Sequence, residues 1–123
     1  MSQDLTADCL NMIMNAKKAG RKELEVSRIS EFLIRVLEVA KKNDYLDFKK
    51  DNSKIKIEIK NLSNCQAIKP RFTVKITEID KYLRRYMPAR DFGIMLISTS
   101  KGILTQEEAF KEKIGGSLIA YFY

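Results

Sequence analysis

The apolar residues of this chain change period near residue 45, and that change restricts the folds open to it. Leu5, Cys9, Met12, Ile13 and Ala16 recur at helical spacing, as do Ile29, Leu33, Val36, Leu37 and Ala40. The spacing predicts one helix over about Leu5 to Ala19, stopped by Gly20, and a second over about Ser30 to Lys42. Ser30 is its expected cap, with Glu31 favourable in the first turn. Between them Glu23 to Val26 alternates as a short strand. Beyond Tyr45 the residues Ile55, Ile57 and Ile59 alternate with Lys56, Glu58 and Lys60. This is the pattern of a half-buried strand, expected to pair with Leu46 to Lys50 across an Asp51-Asn52-Ser53 turn. Lys49, Lys50, Lys54, Lys56 and Lys60 read as a solvated lysine face guarding a sheet edge, with an RNA contact as the alternative.

Asn61 to Asn64 reads as a loop and a boundary, giving an N-terminal α/β lobe over 1–62 and a C-terminal, mainly β lobe over 63–123. Ala67 to Ile76 reads as one strand entered through Pro70, with Phe72, Val74 and Ile76 on one face. Thr77 and Asp80 are candidate caps for a short helix bearing Ile79, Tyr82, Leu83 and Tyr86, which Met87-Pro88 ends. The last quarter holds an apolar run, Gly93 to Ile97, that ends in Ser98, Thr99 and Ser100. Thr105 and Glu108 then form a capping-box pair, predicting a helix to about Lys113. Gly115-Gly116 is expected to stop it, and Ser117 to Tyr123 to return as a strand. The fold class is α+β in two small lobes, the first ordered helix-strand-helix-strand-strand.

At 123 residues a core of this size needs no staples, so Cys9 and Cys65 read as free, buried thiols. The longest aliphatic run, Ile94 to Ile97, is far short of the ~20 residues that span a bilayer. The N-terminal Met-Ser-Gln-Asp carries no basic segment before an apolar one, so no membrane association and a cytoplasmic location are expected. The chain has no histidine, which removes the usual general base and imidazole metal ligands. No enzymatic activity, metal, cofactor or small-molecule substrate is expected. Lys and Arg total 23 against 16 Asp and Glu, a net charge of +7, which attracts polyanions. Seven basic and two acidic residues between Lys69 and Arg90 make that stretch the most cationic.

The hydroxyl triplet supports three readings. Its side chains bond their own backbone in a turn, or one serine is a nucleophile without an imidazole to activate it, or the tip meets folded RNA. The RNA minor groove is wide, shallow and lined with 2′-hydroxyls, which suits compact groups that both donate and accept. Gly102, Gly115 and Gly116 admit close backbone approach, and Lys69, Arg71, Arg90 and Lys101 supply phosphate contacts. Lys17, Lys18, Arg21 and Lys22 complement the first helix's dipole and suit phosphates equally. Tyr121 and Tyr123 read as packing aromatics or as base-stacking groups. The rival class is a basic module that engages an acidic protein partner or a membrane.

Ser98-Thr-Ser-Lys-Gly-Ile-Leu-Thr-Gln-Glu-Glu-Ala109, followed by Gly115-Gly116 and Leu118 to Tyr123, resembles the C-terminal signature of the eighth ribosomal protein of the small subunit. Lys69-Pro-Arg-Phe72, Pro88-Ala-Arg-Asp-Phe-Gly93 and the segment Thr77 to Tyr86 resemble that family's archaeal and eukaryotic branch. The resemblance covers nearly the whole chain. It implies a non-catalytic protein that binds the central domain of small-subunit ribosomal RNA early in assembly, beside neighbouring small-subunit proteins. It further implies that Ser98, Thr99 and Ser100 enter a minor groove, with Gly115 and Gly116 on the same surface. Asn15, Lys17, Lys18 and Arg21 would make backbone contacts from the first lobe. The chain departs from the family at Arg28-Ile-Ser-Glu31, where the pattern is Pro-x-Ser-Lys, and in a shorter, glycine-free stretch from Tyr45 to Ile55.

Overall fold

A computed structural model describes residues 5–68, 72–88 and 92–123. The chain divides into two compact units, Met1–Gln66 and Ala67–Tyr123.

The first unit contains α1 (Leu5–Lys18), β1 (Glu23–Val26), α2 (Glu31–Lys42), β2 (Leu46–Asp51) and β3 (Lys54–Ile59). Ser30 caps α2 as its sequence position demands, its hydroxyl accepting from the Leu33 N–H at 3.1 Å. The strands form an antiparallel sheet in the order β1-β3-β2, and α1 and α2 pack on it. Val26, Leu46, Ile55 and Ile57 are buried with Leu10, Ile13, Leu33 and Leu37 of the helices. Cys9 and Cys65 are free and buried, and the Cys65 Sγ donates to the Leu10 carbonyl at 3.7 Å. Burial pushes both thiols up to about 12.

The hairpin's polar face is less uniform than its lysines suggest. Register sets Glu23, Glu58 and Asp47 side by side across three strands, and Glu25, Lys56 and Lys49 in a second row. Lys56 pairs with Glu23 at 3.2 Å, and Lys41 with Asp47 at 3.2 Å. Lys50 lies opposite Ile55 and so belongs to the other face. The face is an interleaved surface of both signs.

The second unit is built on five strands: β4 (Cys65–Ala67, at the junction), β5 (Thr73–Val74), β6 (Ile94–Thr99), β7 (Gly102–Thr105) and β8 (Gly116–Phe122). Their order is β4-β8-β6-β7, with β5 also paired to β8. The expected single strand from Ala67 to Ile76 is therefore two short strands. The Ile68 N–H donates to the Ile119 carbonyl and the Leu118 N–H to the Phe72 carbonyl, so both flanks lie along β8. Ile76 already belongs to a 3₁₀ turn, Ile76–Glu78, that leads into α3 (Ile79–Tyr86). Thr77 and Asp80 do not cap α3. The Glu78 carboxylate instead accepts from the Lys75 N–H at 2.9 Å, and Asp80 pairs with Arg84 at 3.0 Å.

Met95, Ile97, Leu118 and Val74 bury one sheet face against Ile79 and Leu83 of α3 and Ala109 of α4 (Gln106–Glu112). The capping box forms: the Glu108 carboxylate accepts from Thr105 N–H at 3.2 Å and the Thr105 hydroxyl from Glu108 N–H at 3.4 Å. Gln106 is 4% exposed and ties α4 to the start of β6, accepting from Met95 N–H at 2.9 Å and donating to the Gly93 carbonyl at 3.0 Å. The glycine pair does not stop α4. Lys113 does so in the left-handed region, φ 57°, with its N–H bonded back to Ala109 and Phe110 carbonyls. β6 and β8 keep register from Ile94↔Phe122 to Leu96↔Ala120, then resume at Ile97↔Leu118. Ile119 is the extra residue of a β-bulge.

Candidate nucleic-acid interface

Thr99 pairs with Gly102, so β6 and β7 form a hairpin whose turn is Ser100-Lys101. Gly102, φ 105°, takes the left-handed position that closes it. The sequence reading missed β7. Ile103-Leu104 is too brief an apolar run to announce a strand, and the glycine behind the turn was its only signal.

Strand alternation separates the three hydroxyls. Ser98 faces one side of the sheet and Thr99 the other, and Thr99 is committed to the turn. Its hydroxyl donates to the Gly102 carbonyl at 2.8 Å and accepts from the Lys101 N–H at 3.1 Å. Among the described residues, no hydrogen bond occupies the hydroxyls of Ser98 and Ser100. Ser98 is half-buried and Ser100 exposed.

Register adds two groups that spacing in the sequence could not reveal. Ser98 lies opposite Ser117, and Ser117 opposite Thr73, so three strands place hydroxyls in one cross-strand row. The Thr73 and Ser117 oxygens are 3.4 Å apart, which confirms that they share a face. The glycine pair holds this row together. A Cβ on Gly116 would meet the Ser98 carbonyl oxygen and lie 3.1 Å from Ile97 Cγ2, and one on Gly115 would meet the Val74 carbonyl oxygen. Both glycines are thus required by strand packing whatever else they touch.

Lys101, expected as a free phosphate contact, is engaged. Its Nζ lies 2.8 Å from a Glu112 carboxylate oxygen on α4, and that hydrogen bond holds the Glu112 carboxyl below the usual glutamate range. Both side chains remain largely open to water, so the pair is easily exchanged for another anion. Asn15, Lys17, Lys18 and Arg21 are exposed at the C-terminal end of α1 and just beyond it, in the first unit. Lys69, Arg71 and Arg90 lie outside the described residues.

Tyr121 is buried and stacks on Tyr86, with centroids 5.6 Å apart, and on Tyr123 at 6.0 Å. Its place is therefore in the packing of the second unit. Among the described residues no group of three or more His, Cys, Asp or Glu is arranged to hold a metal ion, and no helix is long and apolar enough to cross a membrane.

The described residues of the β6–β7 hairpin thus present hydroxyls and a lysine at an exposed end of the sheet. The model of the family described as Ribosomal protein S8 matches residues 4–123. The Small ribosomal subunit protein uS8 of Nanoarchaeum equitans is 40% identical to this chain over 129 residues, and that of Archaeoglobus fulgidus 38% over 129 residues. Each match covers 100% of both chains. The uS8A protein of Schizosaccharomyces pombe is 33% identical over 127 residues, 98% of each chain. The chain belongs to the Ribosomal protein S8 family, a family of structural rather than catalytic proteins.

Proposed function

We propose that the protein is a structural constituent of the small ribosomal subunit in the cytoplasm, where it binds the central domain of small-subunit ribosomal RNA. The β6–β7 hairpin enters an RNA minor groove, with the hydroxyls of Ser98 and Ser100 meeting ribose 2′-hydroxyls and base edges. Thr99 acts indirectly, by fixing the turn. Ser117 and Thr73 continue the same hydroxyl surface along the sheet. Lys101 exchanges Glu112 for a phosphate, and Lys69, Arg71 and Arg90 add phosphate contacts. Gly115 and Gly116 keep the strands close enough for the row to remain in register. Asn15, Lys17, Lys18 and Arg21 contact RNA backbone from the first unit, and neighbouring small-subunit proteins complete the surroundings.

The observation that carries this reading is the cross-strand row Ser98, Ser117 and Thr73, with the hydroxyls of Ser98 and of the neighbouring Ser100 without protein partners among the described residues. Groups that both donate and accept, presented on an open surface of a +7 chain, fit a groove of 2′-hydroxyls better than a purely acidic protein.

A mobility-shift titration against a central-domain fragment and an unrelated duplex, at two salt concentrations, tests it. Preference for the fragment should survive the higher salt. Ser100→Ala should weaken fragment binding by about 1–3 kcal/mol, with little change for the duplex. Neutralising Arg71 or Arg90 should lower affinity for both RNAs and flatten the salt dependence. Equal, salt-labile binding to both RNAs would move the acidic-partner reading to the front.

A further inference from the structure

Phe92 is one of only two large apolar side chains that stand exposed among the described residues, at 53%. Unlike a scattered surface residue, it ends a row of rings. Tyr86, Tyr121, Tyr123 and Phe92 follow one another with centroids 5.6, 6.0 and 6.2 Å apart, and the Tyr121 and Tyr123 planes are within 5° of parallel.

The backbone that follows Phe92 is closely packed. Gly93 has φ 97°, and a Cβ there would lie 2.5 Å from both Met87 Cε and the Phe122 carbonyl oxygen and 2.6 Å from Tyr123 Cβ. The Gly93 carbonyl also accepts from the buried Gln106 amide at 3.0 Å. A ring presented on so restricted a backbone loses little further freedom on binding.

The far end of the row is cationic. The Arg85 guanidinium lies 5.7 Å from the Tyr86 ring, and α3 also carries Lys81 and Arg84. An exposed aromatic ring on a chain of net charge +7 matches a nucleotide, whose base has a flat π-face and whose phosphate carries the complementary charge.

We infer that Phe92 is a stacking platform for an unpaired nucleobase of the bound RNA. This rests on the RNA-binding reading above but concerns a different part of the second unit from the hydroxyl row, and it adds a single-stranded element to a groove contact. The base lies on the open face of Phe92, and Tyr123 supports the ring from behind.

Two variants in the full chain separate stacking from mere apolarity. Phe92→Leu keeps an apolar side chain and removes the π-face. Phe92→Trp enlarges that face and, because the sequence contains no tryptophan, provides a single fluorescent reporter. Phe92→Leu should bind the central-domain fragment about tenfold more weakly, roughly 1.4 kcal/mol and within the scale of one stacked base. Phe92→Trp should bind at least as tightly as the unaltered protein, with its emission quenched by the fragment and not by a fully paired duplex.

Undiminished binding by Phe92→Leu, or emission that the fragment leaves unchanged, would overturn the inference. So would equal quenching by the duplex. If the unaltered protein showed no preference for the fragment, the RNA-binding reading itself would fail, and this inference with it. Preference retained alongside an inert Phe92 removes the stacking platform alone.

Discussion

Gly116 and Gly102 are both glycines of the hairpin region, yet they are required for different reasons, and replacing each with alanine separates those reasons. At Gly102 nothing lies within 4 Å of an added Cβ, so the cost is that of holding an L-residue at φ 105°. That strain is worth about 1 kcal/mol. At Gly116 the backbone is ordinary but there is no room. The new methyl overlaps the Ser98 carbonyl oxygen, with Ser98 C at 2.9 Å and Ile97 Cγ2 at 3.1 Å. β8 must then move off β6, lengthening the bonds around Ser98↔Ser117 and Ile97↔Leu118. Overpacking of this kind costs about 1–3 kcal/mol, and weakening one or two strand hydrogen bonds adds about 1 kcal/mol more. The expected loss for Gly116→Ala is therefore about 2–4 kcal/mol. In urea unfolding its midpoint should fall by roughly 1–2 M, against about half a molar for Gly102→Ala. An equal or smaller shift for Gly116→Ala would refute the claim that close strand approach is what requires glycine there.

Gln106→Ala should cost about 2–4 kcal/mol in the same assay, because it leaves the Met95 N–H and the Gly93 carbonyl without their side-chain partner in a buried site. Thr105→Ala should cost about 1 kcal/mol through the lost capping box, and Thr105→Ser should restore most of it. Followed by carboxyl NMR, Glu112 should titrate below the ordinary glutamate range and move back up in Lys101→Met. Since folding depresses this group's pKa, its stabilising contribution is present above the unfolded value and is lost as pH falls through the folded one. An unmoved titration in Lys101→Met would show that the ion pair is not its cause. Cys9 and Cys65 should resist a thiol reagent at pH 8 until the chain is denatured, because burial holds both thiols near 12.

The parts of the fold that the sequence announced are those encoded within a few residues. Ser30 ahead of α2, Thr105 with Glu108 ahead of α4, and the alternating isoleucines of β3 are local signals, and each reports a hydrogen bond or a face that forms as read. Where alternation continued while the backbone turned, the reading failed. Phe72, Val74 and Ile76 all pack against the core of the second unit, yet Ile76 does so from a 3₁₀ turn rather than a strand. The lysine face of the first hairpin was misjudged because its carboxylates come partly from β1, a neighbour that only sheet order supplies. The hydroxyl cluster was visible at Ser98 to Ser100 as a composition. Its division by side was not, and Thr73 and Ser117, 44 residues apart, meet only through the pairing of β5 with β8.

The bulge at Ile119 gives the length of β8 a meaning of its own. Were Ile119 to pair with Ile97 instead of bulging out of the ladder, the pairing of Ile94↔Phe122 would run on unbroken, and Ser98 would stand opposite Leu118 and Thr99 opposite Ser117. Every side chain could keep its identity while the polar row dissolved into mismatched neighbours. Ile119 thus works as a spacer that carries a phase: while it stays outside the ladder the pairs on either side hold, whereas drawing it into the ladder shifts one strand against the other by a step. Tolerance at that position should therefore be judged by whether a substitute keeps the bulge.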